Sequence, residues 1–471
     1  MSARFIRPMA VLLLGLALTQ PVDAAETHLP QSREEIRLSF APLVKATAPA
    51  VVNIYTKRVV RTSRSPFFND PFFRQFFGDD VFNFGVPRER IQSSLGSGVI
   101  LRPDGVIVTN NHVIEKADQI TVVLNDRREF EAKLVMADER TDIAVLRIDS
   151  GGAPLPYLNL RDSDELEVGD LVLAIGNPFG VGQTVTSGIV SAVARAAEGV
   201  SDFSFFIQTD AAINPGNSGG ALVSMDGRLV GVNTAIYSRS GGSQGIGFAI
   251  PANMVARVLD SALKGRKVVR PWLGAGGQPV TSDLAASLGL ERPVGVIVSE
   301  VYPGGPSERA GLRVGDVVLA INGHEVDDPR ALRFRIASLP EGGTATLTVR
   351  RGSETVSLTL PLRPPPDKPP RDTTTIKGRN PLAGAAVANL SPALAEELQM
   401  DTLKRSVIVL GVQRRSPAAQ LGIQPGDMVA KVNGNDIDSV ATLRRVMGAG
   451  ARRWTIAIRR DDRLLSVTID G

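Results

Sequence analysis

The segment Asn214–Gly220, which reads NPGNSGG, carries the strongest functional signal in this chain. A nucleophilic serine needs an exposed hydroxyl group and backbone N–H groups directed at the negative charge that develops during the reaction. Glycines on both sides of Ser218 allow a tight turn and leave room for a substrate. The segment predicts a nucleophile at Ser218 and an oxyanion hole in the loop Gly216, Asn217 and Ser218, with the amides of Gly216 and Ser218 as donors. Without further context, a glycine-rich turn that contains a serine is more often only a turn.

Two other residues supply that context. His112 lies in the segment TNNHV, directly after an apolar stretch typical of a strand, and Asp142 opens the segment DIAVL. His112 is the only histidine between residues 94 and 255, so a general base in this region must be that residue. The three residues predict a triad in which Ser218 attacks a carbonyl group, His112 transfers the proton and Asp142 orients the imidazole.

The order of these residues along the chain distinguishes two fold classes. Residues 216–220 also match G-x-S-x-G, the nucleophile turn of α/β-hydrolases, but in that fold the acid and the histidine follow the serine. The only histidine after Ser218 is His324, whose counterpart in the internal repeat is Asn435. The order His, Asp, Ser is that of the chymotrypsin group. An esterase that depends on His324 is the less favoured alternative.

Composition and charge argue against several other classes of function. The 471 residues include 53 Lys or Arg and 49 Asp or Glu, and no basic run marks a nucleic-acid-binding arm. The absence of cysteine excludes a cysteine nucleophile, disulfides and thiolate metal sites. His28, His112 and His324 are too far apart for a common zinc motif, and no G-x-x-x-x-G-K-[ST] loop is present. We therefore expect no metal ion, no other cofactor and no use of ATP.

The first 24 residues have the features of a secretory signal. Arg4 and Arg7 form a basic start, and Met9–Leu18 is an apolar run too short to span a bilayer. Small residues precede a cleavage site that we expect after Ala24, the alternative being an uncleaved anchor. We expect a mature protein without a transmembrane segment, located in the periplasm.

The next part of the chain divides into an N-terminal segment (25–56), a phenylalanine-rich stretch (57–93) and a strand-rich region (94–265). Eight of the 17 phenylalanines lie in the second of these, and we interpret it as an inserted loop that docks on a neighbouring subunit or over the active site. A satellite core is the alternative. From residue 94, short apolar stretches alternate with turn residues, and helical periodicity is weak until Asn253–Leu263. This pattern predicts an all-β region.

The rest of the chain is internally duplicated. The segment AGLRVGDVV around Gly311 is matched by LGIQPGDMV around Gly422, a step of 111 residues. A period of this size indicates two related domains rather than a solenoid. We place them at residues 270–363 and 376–471, joined by a proline-rich spacer at 364–375.

Several of these segments resemble the HtrA family of serine proteases (the Deg/Do proteases). The matching segments are Gly96–Ile100, Thr109–Val113, Asp142–Ala144, Ala174–Gly180, Gln208–Asn214 and Gly245–Pro251. The stretch Asp70–Phe73 also resembles the insertion of that family, and residues 270–471 are similar to its two PDZ domains. The resemblance implies a mainly β fold, with a trypsin-like double β-barrel followed by two α+β PDZ domains.

The same resemblance implies two binding regions. In a trypsin-like fold the residues before the nucleophile, here Ala212 and Ile213, line the primary specificity pocket, and the family adds Ile246. No Asp is present to select Lys or Arg, so we expect a small apolar pocket for Val, Ile or Ala, unless both isoleucines are plain core residues.

PDZ domains bind peptides by strand addition and capture a terminal carboxylate with backbone amides. The expected cradle in the first copy consists of Trp272, Leu273, Gly274 and Ala275. Its counterpart is Leu382–Ala385, and here peptide binding and a role in assembly remain equally open.

The resemblance finally implies an activity. We expect an ATP-independent endopeptidase for unfolded or misfolded envelope proteins, assembled from trimers into larger oligomers. The loops around Asp202, Phe203 and Ser238–Gly245 should move when substrate binds. The alternative is a chaperone or scaffold in which proteolysis is secondary.

Overall fold

A computed structural model describes residues 39–60, 90–176, 182–196, 205–236, 243–461 and 463–470. The expected signal segment and most of the phenylalanine-rich stretch lie outside these ranges, as do Asp202 and Phe203. The statements below concern the described residues.

The first unit is an antiparallel sheet of seven strands in the order β5-β4-β1-β2-β3-β7-β6. Its elements are α1 (Ala41–Thr47), β1 (Val51–Val60), β2 (Arg90–Arg102), β3 (Val106–Thr109), α2 (Asn111–Ile114), β4 (Gln119–Val123), β5 (Glu129–Glu131), β6 (Lys133–Asp138) and β7 (Ile143–Arg147). Strands β1 and β2 pair from Val51–Val99 to Val60–Arg90. Regular strand structure thus enters the range 57–93 from both ends, where a loop was predicted. The hydrogen-bonded pairing of β1 with β2 continues without a break into this range, so each strand stabilises the extended conformation of the other.

The second unit is a closed barrel in the strand order β10-β13-β12-β11-β8-β9. Its elements are β8 (Leu171–Gly176), β9 (Thr184–Ala196), β10 (Phe205–Thr209), β11 (Ala221–Ser224), β12 (Leu229–Ile236), β13 (Gly247–Pro251) and the helix α3 (Ala252–Leu263). Strands β11 and β13 are buried along their whole length, including the polar Ser224 at the end of β11. The prediction of a strand-rich region between residues 94 and 255 is confirmed.

The two C-terminal units repeat one arrangement of strands and helices. The first contains β14 (Ala275–Pro279), α4 (Ser282–Leu288), β15 (Val296–Val301), α5 (Pro306–Arg309), β16 (Val317–Ile321), β17 (His324–Glu325), α6 (Pro329–Ser338), β18 (Thr344–Arg351) and β19 (Glu354–Pro361). The second contains β20 (Thr374–Thr375), β21 (Ala385–Asn389), α7 (Pro392–Glu397), β22 (Val407–Val412), α8 (Pro417–Gln420), β23 (Met428–Val432), β24 (Asn435–Asp436), α9 (Val440–Gly448), β25 (Arg453–Arg460) and β26 (Arg463–Asp470). Equivalent side chains, Asp328 and Ser439, accept backbone N–H bonds at the starts of α6 and α9.

One difference separates the copies. In the second, the short strand β20 pairs with β21, so residues expected to belong to the spacer form part of the sheet. In the first, β14 is the edge of the described sheet.

The apolar core is divided unevenly among these units. One buried cluster continues from Val145 and Leu173, through Val255 of α3, to Leu347 in the first C-terminal unit. The second C-terminal unit has its own cluster around Trp454. The first two units and the first C-terminal unit therefore share a core.

Helices in the described ranges are all too short or too polar to cross a membrane.

Candidate active site

His112 lies on the short helix α2, directly beyond the end of β3. The backbone around it is attached to the turn before β7, the strand next to β3, because the Asn111 amide and the Asn110 side chain both donate to the carbonyl oxygen of Asp142, each at 3.0 Å. These two bonds set the position of the helix relative to the loop that carries Asp142.

The Asp142 carboxylate accepts three hydrogen bonds. Its Oδ1 accepts from the His112 amide at 2.9 Å, and its Oδ2 lies 2.7 Å from both the His112 Nδ1 and the Thr234 Oγ1. The Asp142 side chain is 14% exposed and that of His112 is 47% exposed. A carboxylate can only accept here, so it holds the imidazole with the proton on Nδ1 and leaves Nε2 as a base on the open side.

Asp142 itself has a left-handed backbone conformation, with φ of 56°. This geometry is uncommon outside glycine, although aspartate tolerates it better than most residues. The turn Asp138–Asp142 is held in place by side chains: Thr141 and Arg270 both donate to the Asp138 carboxylate, and Arg140 pairs with Glu396 at 2.9 Å. Arg270 is 6% exposed, and this burial lowers the pKa of its guanidinium. The turn before Asp142 is thus attached to the C-terminal half of the chain.

Ser218 lies in a turn that is tied to β2 of the first sheet. The Ser97 amide donates to the Ser218 carbonyl oxygen at 2.8 Å, and the Ser97 hydroxyl donates to the Gly216 carbonyl oxygen at 2.7 Å. Thr109 in turn donates its hydroxyl to the Ser97 carbonyl oxygen at 2.7 Å. The loop that carries Ser218, which belongs to the barrel of the second unit, is therefore positioned by strands of the first sheet.

Two glycines at this site, Gly219 in the turn and Gly96 on β2, have neighbouring atoms too close to admit a Cβ. Gly219 has φ of 83°, and a Cβ there would lie 2.1 Å from the Ser97 carbonyl oxygen. A Cβ on Gly96 would lie 2.5 Å from Val113 Cγ1 and 3.3 Å from the Ser218 carbonyl oxygen. Gly96 therefore lets the nucleophile turn and the His112 helix approach the same strand.

The amides of the turn point in different directions. The Asn217 amide donates to the Asn214 carbonyl oxygen at 2.9 Å, so this group is used within the loop. The amides of Gly216 and Ser218 meet no acceptor among the described residues. Of the three residues predicted for the oxyanion hole, two therefore retain available donors.

The Ser218 hydroxyl donates to the Thr234 carbonyl oxygen at 3.2 Å. The predicted triad thus has a direct His112–Asp142 contact, and Thr234 contacts both the Ser218 hydroxyl and the Asp142 carboxylate. The Ser218 hydroxyl thus bonds to Thr234 rather than to His112.

The three predicted pocket residues lie in different environments. Ile213 is 2% exposed and belongs to the core cluster of the second barrel, where a Cβ on Gly247 would lie 2.8 Å from its Cδ1. Ala212 is half-buried, and its carbonyl oxygen accepts from the Thr186 hydroxyl at 2.8 Å. Ile246 is half-buried and packs against the shared core.

The predicted peptide cradle forms a turn that leads into β14. Gly274 has φ of 73°, its carbonyl oxygen accepts from the Tyr302 amide at 2.9 Å, and Ala275 begins the strand. Leu273 is buried, and its carbonyl oxygen accepts from Ser307 at 2.6 Å. The Trp272 indole donates to Thr402 of the second copy at 2.8 Å.

Sequence reasoning missed four residues that hold the site: Ser97, Thr109, Thr234 and Arg270. Each of them contacts a residue that is distant in sequence. Ser97 and Thr109 lie within the family segments GSGVI and TNNHV, and this was the only signal in the sequence for either of them.

The expected mobile residues Ser238–Gly242 lie outside the described ranges. Ser243 donates its amide to the Asn214 side chain at 3.1 Å, which joins this region to the nucleophile turn.

A supported His–Asp pair, a serine in a glycine-rich turn and two β units, followed by a duplicated α+β unit, define a trypsin-like serine peptidase with tandem PDZ domains. Family models agree: a trypsin-like peptidase domain matches residues 96–232, and a PDZ domain matches residues 297–351 and 408–467.

The relatives narrow this class. A probable periplasmic serine endoprotease DegP-like of Chlamydia muridarum is 40% identical over 92% of this chain and 88% of its own length. Periplasmic serine endoprotease DegP of Salmonella typhimurium is 37% identical over 96% of both chains. The solved HtrA-type protease AlgW with tripeptide is 46% identical, with a TM-score of 0.51 over 70% of this chain and 99% of its own. This chain belongs to the HtrA family of DegP-like serine endoproteases, and it is a serine endopeptidase that acts on protein substrates.

Proposed function

We propose that this chain degrades unfolded or misfolded proteins in the periplasm, with His112, Asp142 and Ser218 as its catalytic triad. The observation that carries the proposal is the 2.7 Å contact between His112 Nδ1 and Asp142, which leaves Nε2 as a base on a helix that meets the same strand as the nucleophile turn. The relatives named as periplasmic endoproteases and the apolar N-terminal stretch support the compartment.

The reaction follows from these positions. Rotation about the Cα–Cβ bond of Ser218 turns its hydroxyl from Thr234 towards His112 Nε2. Nε2 takes the proton as Oγ bonds to the substrate carbonyl carbon, and the amides of Gly216 and Ser218 donate to the resulting oxyanion. The imidazolium then protonates the leaving amine as the C–N bond breaks. Water repeats the sequence on the acyl-enzyme and releases the acid and free Ser218.

The substrate class follows from the residues before Ser218. Ala212 and Ile246 are half-buried and uncharged, and Ile213 is buried in the barrel core, so these residues present no charge to the substrate, which suits a Val, Ile or Ala side chain before the scissile bond. Such side chains are mostly buried in folded proteins. A protease with this preference therefore selects unfolded chains.

The first PDZ domain is proposed to bind substrate peptides at Trp272, Leu273, Gly274 and Ala275. Two observations support this role: β14 ends the described sheet, and the Leu273 and Gly274 amides meet no acceptor within the described ranges. An extended peptide can pair with that edge and place its carboxylate at the free amides.

We further propose a homo-oligomer built from trimers. An exposed apolar strip on the second barrel supports it, because Leu171 and Ile189 are opposed across β8 and β9 and Val168 beside them is 63% exposed. Exposed apolar clusters of this kind normally have a partner. Sedimentation velocity on the purified protein measures the assembly, and a monomer at micromolar concentration would contradict it.

A proteolysis experiment tests the main proposal. A reduced, unfolded substrate is incubated with the wild type and with Ser218→Ala, and the cut sites are mapped by mass spectrometry. We expect cleavage after Val, Ile and Ala by the wild type only, and labelling of Ser218 by a fluorophosphonate. Undiminished cleavage by Ser218→Ala would exclude the triad, and cuts after Lys or Arg would exclude the pocket assignment.

A further inference from the structure

The two PDZ domains present the same turn and edge strand with different contacts. Gly274 and Gly384 are both left-handed, with φ of 73° and 92°, and each precedes a strand that pairs antiparallel with the next one. Both pairings shift register at the same place, after Gly276 in β14 and after Ala386 in β21. The peptide groove of the first domain therefore has a structural counterpart in the second.

The counterpart groove is already paired. Strand β20 runs antiparallel to β21, with Thr374 opposite Val387 and Thr375 opposite Ala386. The pairing continues on both sides, because the Ile376 amide donates to the Ala385 carbonyl oxygen at 2.9 Å and the Asn389 amide donates to that of Arg371 at 2.7 Å. Antiparallel strand addition of this kind is how PDZ domains hold peptides.

The amides of the counterpart turn are also used. The Ala383 amide donates to the Asn380 carbonyl oxygen at 3.1 Å, and the Gly384 amide donates to the Ile376 carbonyl oxygen at 2.9 Å. In the first domain the corresponding amides, those of Leu273 and Gly274, are without acceptors in the part of the chain that the structure describes. The Ile376 carbonyl group thus takes a donor that a peptide carboxylate would need.

The side chain of Ile376 completes the likeness to a ligand. It is 4% exposed and belongs to the buried cluster that includes Ala385 of β21 and Val440 and Leu443 of α9. An aliphatic side chain that packs with the strand after the carboxylate-binding turn and with a helix of the domain, here β21 and α9, is the arrangement expected of a bound peptide's last residue. Here the chain continues to Lys377 instead of ending in a carboxylate.

We propose that residues Arg371–Ile376 are a built-in ligand of the second PDZ domain and keep its groove closed to other peptides. A covalently attached ligand acts at a high effective concentration, in the millimolar range for short tethers, which free peptides seldom match. The groove accepts an extended peptide with an aliphatic last residue, and it becomes available only when this segment leaves. Each wild-type chain should then bind peptide only at the first PDZ domain, and this expectation rests on the proposed function.

Isothermal titration calorimetry on the full chain tests this inference. The protein carries Ser218→Ala to prevent cleavage, and the probe is a free peptide with the sequence of residues 369–376 and a free carboxylate. We expect one peptide per chain, and two when Thr375→Pro and Ile376→Asp release the segment. The control Thr373→Ala alters an exposed residue of the same segment and should leave one site.

The outcomes separate the two proposals. A baseline of zero sites would contradict peptide binding by the first domain, whereas the gain of one site on release tests only the built-in ligand. The variant Ile376→Ala keeps the backbone pairing but weakens the built-in ligand, and we expect it to bind a second peptide where the wild type binds only one. Emission from Trp454, which is 1% exposed in the same core, reports whether the second domain is folded. Folded variants that bind no additional peptide would overturn the inference.

Discussion

Thr234 contacts two proposed members of the triad through two different atoms. Its hydroxyl donates to Asp142 at 2.7 Å, and its carbonyl oxygen accepts from Ser218 at 3.2 Å. The side chain therefore helps to fix the carboxylate, and the backbone holds the resting position of the nucleophile. Only the first contact can be removed by mutation of the side chain.

Thr234→Val is expected to lower kcat/KM roughly 10- to 150-fold with little change in KM, because one charge-assisted hydrogen bond of roughly 1.5–3 kcal/mol is lost. Thr234→Ser retains the hydroxyl and should retain most of the activity. Steady-state hydrolysis of a small peptide ester measures both variants. An unchanged kcat for the valine variant would show that the other two donors suffice to hold Asp142.

Gly219→Ala should abolish activity and lower stability. The new Cβ would lie 2.1 Å from the Ser97 carbonyl oxygen, in addition to a left-handed strain of about 1–2 kcal/mol. Gly151→Ala is a matched control, because Gly151 has φ of 67° and nothing within 4 Å of a Cβ. Thermal unfolding and peptidase assays of the two variants separate backbone strain from steric contact. Equal effects of both would argue against the contact with Ser97.

At the scale of elements, the PDZ domains repeat one charged clamp. Arg351 on β18 donates to the Asp316 carboxylate before β16 and to the Gly311 carbonyl oxygen, and Arg460 bonds Asp427 and the Gly422 carbonyl oxygen in the same way. Both aspartates are buried. Burial works to raise the pKa of Asp316, but the bonds from Arg351 and the Arg313 amide outweigh it, and the pKa lies below its ordinary value. The clamp joins the turn after α5 to the central strands.

Asp316→Asn is expected to destabilise the first PDZ domain by about 2 kcal/mol, since bonds to a charged group are lost. The folded pKa lies below the unfolded one, so the contribution is complete above about pH 4 and disappears as the pH falls through the folded value. Urea unfolding at pH 7 and at pH 3 measures the difference between variant and wild type. A difference that stays constant between these pH values would contradict the ionic origin.

At the scale of the whole molecule, the division of the apolar core determines which domains depend on one another for stability. The shared cluster joins the protease sheets to the first PDZ domain and ends at Leu362, whereas the cluster of the second PDZ domain begins at Ile376. Polar contacts such as Arg140–Glu396 and Trp272–Thr402 link the second PDZ domain to the rest.

Deletion of residues 367–471 should therefore leave a folded protease and first PDZ domain, with a melting temperature within a few degrees of the wild type. Deletion of residues 271–471 removes part of the shared core and should cost several kcal/mol, comparable to the loss of large buried side chains. Differential scanning calorimetry compares the two truncations. Equal melting temperatures for both would contradict the shared core.

Much of this molecule could be predicted from local sequence. The segment NPGNSGG, the order His112, Asp142, Ser218 and the step of 111 residues depend on short patterns, which indicate fold class and duplication directly. The support of Asp142 by Thr234 could not be found in this way, because it joins residues 92 positions apart. The strands at residues 57–60 and 90–93 could not be predicted either. Each is stabilised by hydrogen bonds to the other, and the local sequence does not indicate which segment will be its partner.

The sequence by itself determined the types of residue available for chemistry, the two copies of the PDZ unit and the strand-rich protease region, because these depend on residue identity and spacing. Tertiary structure alone decided which amides remain free, which edge strand is paired and which core is shared. The second PDZ domain illustrates the division: its turn resembles that of the first, yet Ile376 bonds the Gly384 amide. Hydrogen bonds saturate, so a donor is available only if no other part of the folded chain has reached it.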